Sequence, residues 1–388
     1  MKKLTLIILS FLLFSCSKDL FEKDTVTANS RFKAIGKKYN ENSQLLNQLY
    51  VYDNLQADYN SNPTEILPDF SFFNLSYNSF YADSEGITSS GYDNSSRNTN
   101  VYHKSFDSGN QFLSKNFTVQ GRLFYSMHNS KKVYAFFERD YLDGNVSGEY
   151  VLKMVDLENG EEKVVELGNF SNIFDQFIRF VHTKESLFIY LGEHPSSTNP
   201  KSHLIVLSLI NDTIIENKSD ILYDVYNLVP DNLGNCYLFG RQNNFKYDLN
   251  SGSVIKIDNI PGPNSFLYDV YPSPGSPQII IDNKFYFGLG GASPGPAAVY
   301  PSIYDLMTGE VETINIYDDI TQFDDDEVGW NPQAKCFTMD YQNKIFLIGV
   351  TSANLGGSYR SHGVFKVDFE GKILEKQKIP IFPVDIIN

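Results

Sequence analysis

The chain has 388 residues, of which 41% are hydrophobic, 14% aromatic and 20% charged, and its formal net charge is -15 at pH 7. This composition is typical of a folded globular protein and excludes an intrinsically disordered chain. Three cysteines are too few for a disulfide-stabilised scaffold. The acidic balance opposes contact with phosphate backbones, so no nucleic-acid partner is expected.

The N-terminus has the pattern of an export signal. Lys2 and Lys3 precede an apolar run from Leu4 to Phe14, which is too short to span a bilayer. The run ends in Leu-Phe-Ser-Cys, which resembles the bacterial lipobox, and this resemblance implies that Cys16 is acylated and becomes the new N-terminus. An ordinary signal peptide with an incidental cysteine is the alternative.

The predicted organisation is a lipoprotein signal peptide at 1–15, a lipid-anchored tether at 16–35 and one domain at 36–388. Several acyl chains, such as palmitate, on one residue would hold the protein at a membrane, since a single chain binds only marginally. The residues after Cys16 carry charges of both signs. We expect a location in the cell envelope, with the outer membrane favoured over the inner.

Five short apolar runs recur about 50 residues apart in the mature chain. They are Val133–Phe137, Leu187–Leu191, Cys236–Gly240, Phe285–Leu289 and Ile345–Gly349. A strand with one face in water should alternate, whereas an inner strand of a propeller blade packs a neighbouring blade on each face and is apolar throughout. The period and the runs together predict an all-β fold, a β-propeller of four-stranded antiparallel blades.

The segments around each run complete a blade. A hairpin precedes the run, and the following strand ends in a turn of the form Asp-Leu-x-x-Gly, seen at 156–160, 248–252 and 305–309 and shortened at 368–371. In this turn the Asp is expected to cap the backbone and the Gly to adopt positive φ. Residues 20–116 are predicted to form one divergent blade with an insertion, and its strands are expected at 49–52, 70–73 and 100–102.

Six blades are favoured on this count, and seven remain the alternative. We expect the ring to close by pairing strands from the two ends of the mature chain, because an open edge would invite aggregation. The chain resembles exported lipoproteins of Bacteroidetes type that carry a six-bladed, TolB-like or NHL-like β-propeller domain, in families of unknown function. The resemblance rests on the Leu-Phe-Ser-Cys end, the repeated Asp-Leu-x-x-Gly turns and the frequent Phe, Tyr and Asn. It implies no catalytic residue.

A candidate binding face follows from the meander. The connections from second to third strand and from one blade to the next lie on one side of the disc, and polar residues that follow the apolar runs fall there. The candidate residues are Glu138, Arg139, Glu193, His194, Arg241, Trp330, Tyr359, Arg360 and His362. They could line a polar pocket for a sugar, a peptide or a small anion, with the arginines as forked donors. The alternative is that loop ends are polar in any soluble protein.

Other motifs indicate no cofactor. Six carboxylates fall between Asp318 and Glu327, but their spacing does not match a calcium loop, so a solvated acidic loop is favoured. The histidines show no zinc-ligand spacing, and no metal is expected. Cys236 and Cys336 border apolar runs, which favours two buried thiols over a disulfide.

Three hypotheses for function remain. The favoured one is a lipid-anchored, non-enzymatic binding module for a protein or glycan partner, because the strong signals are architectural. The second is a propeller hydrolase, lyase or lactonase with its site in the central channel. The third is a sensor partner of a membrane signalling protein.

Overall fold

The computed structural model describes residues 32–39, 48–54, 63–67, 80–93, 98–106, 114–139, 148–170, 173–193, 201–219, 225–240, 243–257, 278–290, 299–321, 330–353 and 359–387. Over these ranges the protein is built almost wholly of antiparallel strands. None of the helices within them is long and apolar enough to cross a bilayer.

The strands are as follows in chain order. They are β1 (Lys33–Lys37), β2 (Leu49–Asp53), β3 (Thr64–Leu67), β4 (Phe80–Ala82), β5 (Gly86–Asp93), β6 (Asn98–Ser105), β7 (Ser114–His128), β8 (Lys132–Arg139), β9 (Glu149–Asp156), β10 (Glu162–Asn169), β11 (Ile173–His182), β12 (Ser186–Glu193), β13 (Ser202–Ser208), β14 (Thr213–Ser219), β15 (Val225–Pro230), β16 (Cys236–Gly240), β17 (Asn244–Asp248), β18 (Ser253–Ile257), β19 (Ile279–Ile281), β20 (Lys284–Gly290), β21 (Val299–Asp305), β22 (Val311–Thr313), β23 (Trp330–Asp340), β24 (Ile345–Ala353), β25 (Tyr359–Asp368), β26 (Ile373–Lys378) and β27 (Phe382–Ile387). One short helix, α1 (Tyr317–Thr321), lies between β22 and β23.

The described strands form seven four-stranded units. Unit 1 has the order β27-β1-β2-β3, and units 4 to 7 are the meanders β11–β14, β15–β18, β19–β22 and β23–β26. Units 2 and 3 share the 15-residue strand β7: its first half pairs with β6 and its second half pairs with β8. The shared strand makes one seven-stranded sheet of two units, β4–β7 and β7–β10.

Seven apolar clusters connect these units in a closed circle. Each cluster contains buried side chains from two consecutive units, in the order 1–2, 2–3, 3–4, 4–5, 5–6 and 6–7. The seventh cluster joins unit 7 to unit 1, where Cys336 and Leu347 meet Ala34 and Ile386. A ring of seven units needs seven interfaces, so the described core accounts for the complete circle.

The apolar runs are the second strands of units 3 to 7, and they are buried on both faces as expected. In β12 the side chains of Leu187, Ile189 and Leu191 belong to the cluster shared with unit 3. Phe188 and Tyr190 alternate with them and belong to the cluster shared with unit 5. Because side chains alternate across a strand, a continuous apolar run serves two interfaces at once.

The Asp-Leu-x-x-Gly turns connect third and fourth strands, and their expected geometry is confirmed. Asp156 Oδ1 accepts the backbone N–H groups of Glu158 and Asn159 at 2.9 and 3.0 Å. Gly160 has φ 77°, a left-handed conformation that a side chain would strain. Gly252, Gly309 and Gly371 repeat this conformation with φ between 63° and 87°.

The ring closes between the two ends of the chain, as expected. β27 is the first strand of unit 1 and pairs antiparallel with β1, with Ala34 opposite Ile386. The blade count is the alternative of seven and not the favoured six. Residues 20–116 do not form one divergent blade, because β1–β3 combine with the C-terminal strand while β4–β6 and half of β7 form a separate unit.

The N-terminal details also differ from expectation. The ring begins at Lys33, inside the segment assigned to the tether, because β1 pairs with both β2 and β27. Two of the three predicted N-terminal strands correspond to β2 and β6, and the third, at 70–73, falls outside the described residues.

The two sides of the disc carry different connections. We call the side with the first-to-second and third-to-fourth connections the turn face, and the opposite side, with the second-to-third and between-unit connections, the loop face. Phe32, the first described residue, is hydrogen-bonded to Asn54 at the third-to-fourth connection of unit 1. The chain therefore enters and leaves the ring on the turn face.

Candidate functional site

The strand ends place the described candidate residues on the loop face. Glu138 and Arg139 end β8, Glu193 ends β12, and Trp330 begins β23. Tyr359, Arg360 and His362 lie at the start of β25, directly after the loop-face connection from β24. His194 and Arg241 lie outside the described residues.

Three of these residues form hydrogen bonds that stabilise loops and sheet edges. Glu138 is buried, and its Oε1 accepts the backbone N–H of Gly148 at 3.0 Å, across the base of the β8–β9 connection. Glu193 Oε2 accepts the N–H of Lys201 at 3.1 Å across the next such connection. Arg139 Nη2 donates to Glu166 Oε1 at 2.7 Å. These contacts lie within units 3 and 4 and do not gather the residues into one pocket.

His362 packs between the last and the first unit. Its Nδ1 lies within hydrogen-bonding distance of Thr351 Oγ1, at 3.1 Å. Its ring stacks on Tyr39, with centroids 5.7 Å apart, and meets the edge of Phe382. Burial lowers the pKa of His362 to about 4, so the imidazole is neutral at pH 7. Its described contacts serve ring closure.

The acidic segment and the cysteines have local roles where they are described. Asp319 lies in α1 and pairs with Lys376 at 3.1 Å, and residues 322–329 fall outside the described ranges. Cys236 and Cys336 are free and buried in two different interfaces, which confirms the prediction of two buried thiols. Among the described residues no group of His, Cys, Asp or Glu is placed to hold a metal ion.

A buried polar network joins units 2 and 3 at the turn-face end of their inner strands. Thr88 Oγ1 lies 2.8 Å from His128 Nδ1 and 3.0 Å from His103 Nδ1. His128 Nε2 lies 3.0 Å from Asp83 Oδ1, and His103 Nε2 lies 3.1 Å from Ser105 Oγ. With neutral imidazoles the donors run in one direction, from the Ser105 hydroxyl through both rings and Thr88 to the Asp83 carboxylate.

The pKa shifts in this network follow from its burial and from its hydrogen bonds. Burial alone would raise the pKa of Asp83, but the His128 ring, the Glu85 N–H and the Tyr81 hydroxyl outweigh it and lower the pKa to about 2. Burial, with the neighbouring His128, lowers the pKa of His103 to about 3. The sequence Asp83–His128–Thr88 has the order of a hydrolytic relay. Thr88 is fully buried, so its hydroxyl meets other side chains and no substrate.

The network continues into unit 4. The Tyr125 hydroxyl lies 2.9 Å from His182 Nδ1, and Tyr81 packs edge-on against His182 with centroids 4.7 Å apart. Burial lowers the pKa of His182 to about 4 and raises that of Tyr125. The spacing of the histidines in the sequence does not indicate this cluster, because its members come from three units. A usable signal was present: His128 and His182 are separated by one repeat and end equivalent inner strands.

A cleft of about 430 Å³ opens on the turn face beside His182. Lys184 and Glu185 contribute from the β11–β12 turn, Asp231 and Leu233 from the β15–β16 turn, and Ile279 from β19. The Asp231 carboxylate accepts hydrogen bonds from the N–H groups of Leu233 and Asn235 and forms an ion pair with Lys246. The cleft therefore offers aliphatic walls with one basic and one acidic side chain of the exposed turn.

Comparison with known proteins supports the fold. No protein-family model matches the sequence, and no curated protein matches it. Among solved structures, the β-propeller domain of the Trilobed protease from Pyrococcus furiosus aligns with TM-score 0.51 and 12% identity over 92% of this chain and 94% of that chain. TolB from Acinetobacter baumannii aligns with TM-score 0.37 and 10% identity over 92% and 81% of the two chains.

The WD40 propeller domain of Doa1 aligns with TM-score 0.36 and 12% identity over 77% of this chain and 81% of that chain. With the sheet order and the closed circle of clusters, the first of these likenesses defines the protein as a β-propeller. That domain is described as having an open velcro topology, whereas here β27 pairs with β1. At these identities the likeness concerns the fold and carries no activity.

Proposed function

We propose that the protein is a lipid-anchored β-propeller of the cell envelope that binds a protein or glycan partner on its loop face. The observation that carries the proposal is the position of Phe32 on the turn face, hydrogen-bonded to Asn54. A lipid on Cys16 would hold the turn face toward the membrane and leave the loop face directed away from it. Outer membrane placement is part of the proposal.

The chemistry of the described polar groups favours binding over catalysis. Asp83, His128 and Thr88 form the strongest candidate relay. Thr88 and His128 are buried, and the Thr88 hydroxyl is hydrogen-bonded to His128 and to the buried His103. A general base must reach a substrate proton directly or through one water. Groups used in this way stabilise the contact between units, and this supports the proposal that a ligand binds elsewhere, on the loop face.

The anchor is tested by metabolic labelling of the intact chain with an alkyne fatty acid. We expect label on the wild-type protein and co-sedimentation with the outer membrane fraction. Cys16→Ser is the matched control and should lose both. Equal labelling of the two proteins would contradict acylation at Cys16.

Partner binding is tested by photo-cross-linking in intact cells. A photoreactive phenylalanine is placed at Lys201, which is exposed on the loop face, and separately at Asn250, which is exposed on the turn face. We expect a discrete adduct only from Lys201, and digestion with protease or glycosidase then assigns it to a protein or a glycan. An adduct with protein or glycan from Asn250 alone would overturn the choice of face.

A further inference from the structure

The most exposed large apolar side chains of the described residues lie on the turn face. Ile210, Leu233 and Met307 are 65%, 74% and 71% exposed. They occupy the β13–β14, β15–β16 and β21–β22 turns, which belong to the three consecutive units 4, 5 and 6. Other exposed aliphatic residues, such as Ile255, lie on fourth strands at the circumference.

Exposure of these three side chains to water is unfavourable in free energy, and burial would remove this penalty. Apolar surface gains about 25 cal/mol per Å² when it leaves water. The three side chains lie on turns of three different sheets. A bilayer interface accepts such side chains without a surface of complementary shape, whereas a protein partner requires one.

The tether favours the same occupant. Fifteen residues lie between Cys16 and Phe32. Even a fully extended segment of this length reaches at most about 55 Å. The lipid attached to Cys16 would therefore keep the turn face within that distance of the bilayer, and the inference rests on the lipid attachment proposed above.

The net charge of the chain and the charges at the cleft suit a zwitterionic surface better than an anionic one. The chain carries a net charge of -15, which an anionic bilayer would repel. At the cleft beside Leu233, Lys184 and Glu185 present one charge of each sign. Phosphate and ammonium groups of a zwitterionic headgroup layer offer the matching pair.

We propose that the turn face of units 4 to 6 rests on the bilayer surface, with Ile210, Leu233 and Met307 inserted at the level of the headgroups. The loop face then points into the surrounding compartment. This seating is distinct from acylation itself, because a lipid on Cys16 could equally leave the disc free in water.

The test uses the full, lipidated chain in vesicles of phosphatidylethanolamine and phosphatidylcholine. Spin labels are attached to Leu233→Cys and Met307→Cys, and control labels to Lys201→Cys on the loop face and Ile255→Cys on the circumference. Native Cys236 and Cys336 are buried and should not react. We expect the ratio of oxygen to nickel-chelate collisions to be several-fold higher for the first two labels than for the controls.

Water-like ratios at all four positions, on protein that floats with the vesicles, would overturn the seating and leave the lipid anchor intact. Failure of the wild-type protein to float would overturn both proposals. A second variant separates insertion from mere proximity. A label at Asn250→Cys should report headgroup contact in the wild-type background and lose it when Ile210, Leu233 and Met307 are replaced by serine. Unchanged contact in that variant would also overturn insertion.

Discussion

Asp385 is a buried carboxyl group whose replacement should stabilise the ring. It lies on β27, opposite Ile35 of β1 in the strand pair that closes the circle. Burial raises its pKa to about 7, although the Ile386 N–H, which donates to Oδ1 at 2.8 Å, partly opposes the rise. The nearby Cys336 thiol also has its pKa raised by burial and stays protonated across this range.

The size of the effect follows from the two pKa values. Moving a carboxyl pKa from 3.8 to about 7 penalises the ionised form by about 4 kcal/mol. Below pH 4 the group is protonated in both the folded and the unfolded chain, so folding carries no penalty. Between pH 4 and 7 only the unfolded chain ionises, and the free energy of unfolding falls as pH rises. Above pH 7 the penalty is complete.

Asp385→Asn should therefore gain stability with rising pH relative to wild type. Urea unfolding of both proteins at pH 4.5, 6 and 8 measures the difference. We expect it to grow toward about 4 kcal/mol in favour of the variant at pH 8. Glu310→Gln, at an exposed turn, is the control and should show no such trend. A difference between Asp385→Asn and wild type that stays constant with pH would refute the reasoning.

Two substitutions test the junction of units 2 and 3. Gly121→Ala should lower the free energy of unfolding by about 2 kcal/mol or more, because φ is 144° and an added Cβ would overlap the Glu138 carbonyl oxygen. Thermal unfolding measures this loss, with Gly309→Ala as the control. A loss of stability smaller than that of the control would count against the prediction. Thr88→Val should cost about 2 kcal/mol, because it removes the hydroxyl between two buried histidines. Denaturant unfolding compares it with exposed Thr118→Val, and equal costs would show that the network contributes nothing.

Much of the fold could be predicted because its signals are local. A continuous apolar run such as Leu187–Leu191 records burial on two faces, and the Asp156–Gly160 turn records its own backbone geometry. The blade count could not be fixed in this way. Unit 1 is assembled from both ends of the chain, and β7 serves two units without an intervening turn, so neither unit is a contiguous segment of sequence.

The candidate site was less accessible to sequence reasoning. Strand order alone places Glu138 and Glu193 on the loop face, but polarity does not show that their carboxylates are used to hold backbone N–H groups. The network around Thr88 joins residues as far apart as Asp83 and His128, which only the register of the strands in the seven-stranded sheet brings together.

The central claim is a closed circle of seven units joined through β1 and β27. A cysteine pair at Ala34 and Ile386 tests it directly in a Cys336→Ala background, which removes the native thiol of the same cluster. Directly opposed residues of antiparallel strands have Cα atoms about 4.5–5.5 Å apart, within the range of a disulfide. The control pair, Ala34 and Ile387, is one residue out of register. The account predicts that mild oxidation cross-links the first pair and not the second, as read from mobility on a non-reducing gel. No cross-link in the first pair, or equal cross-linking in both, would contradict the closed ring.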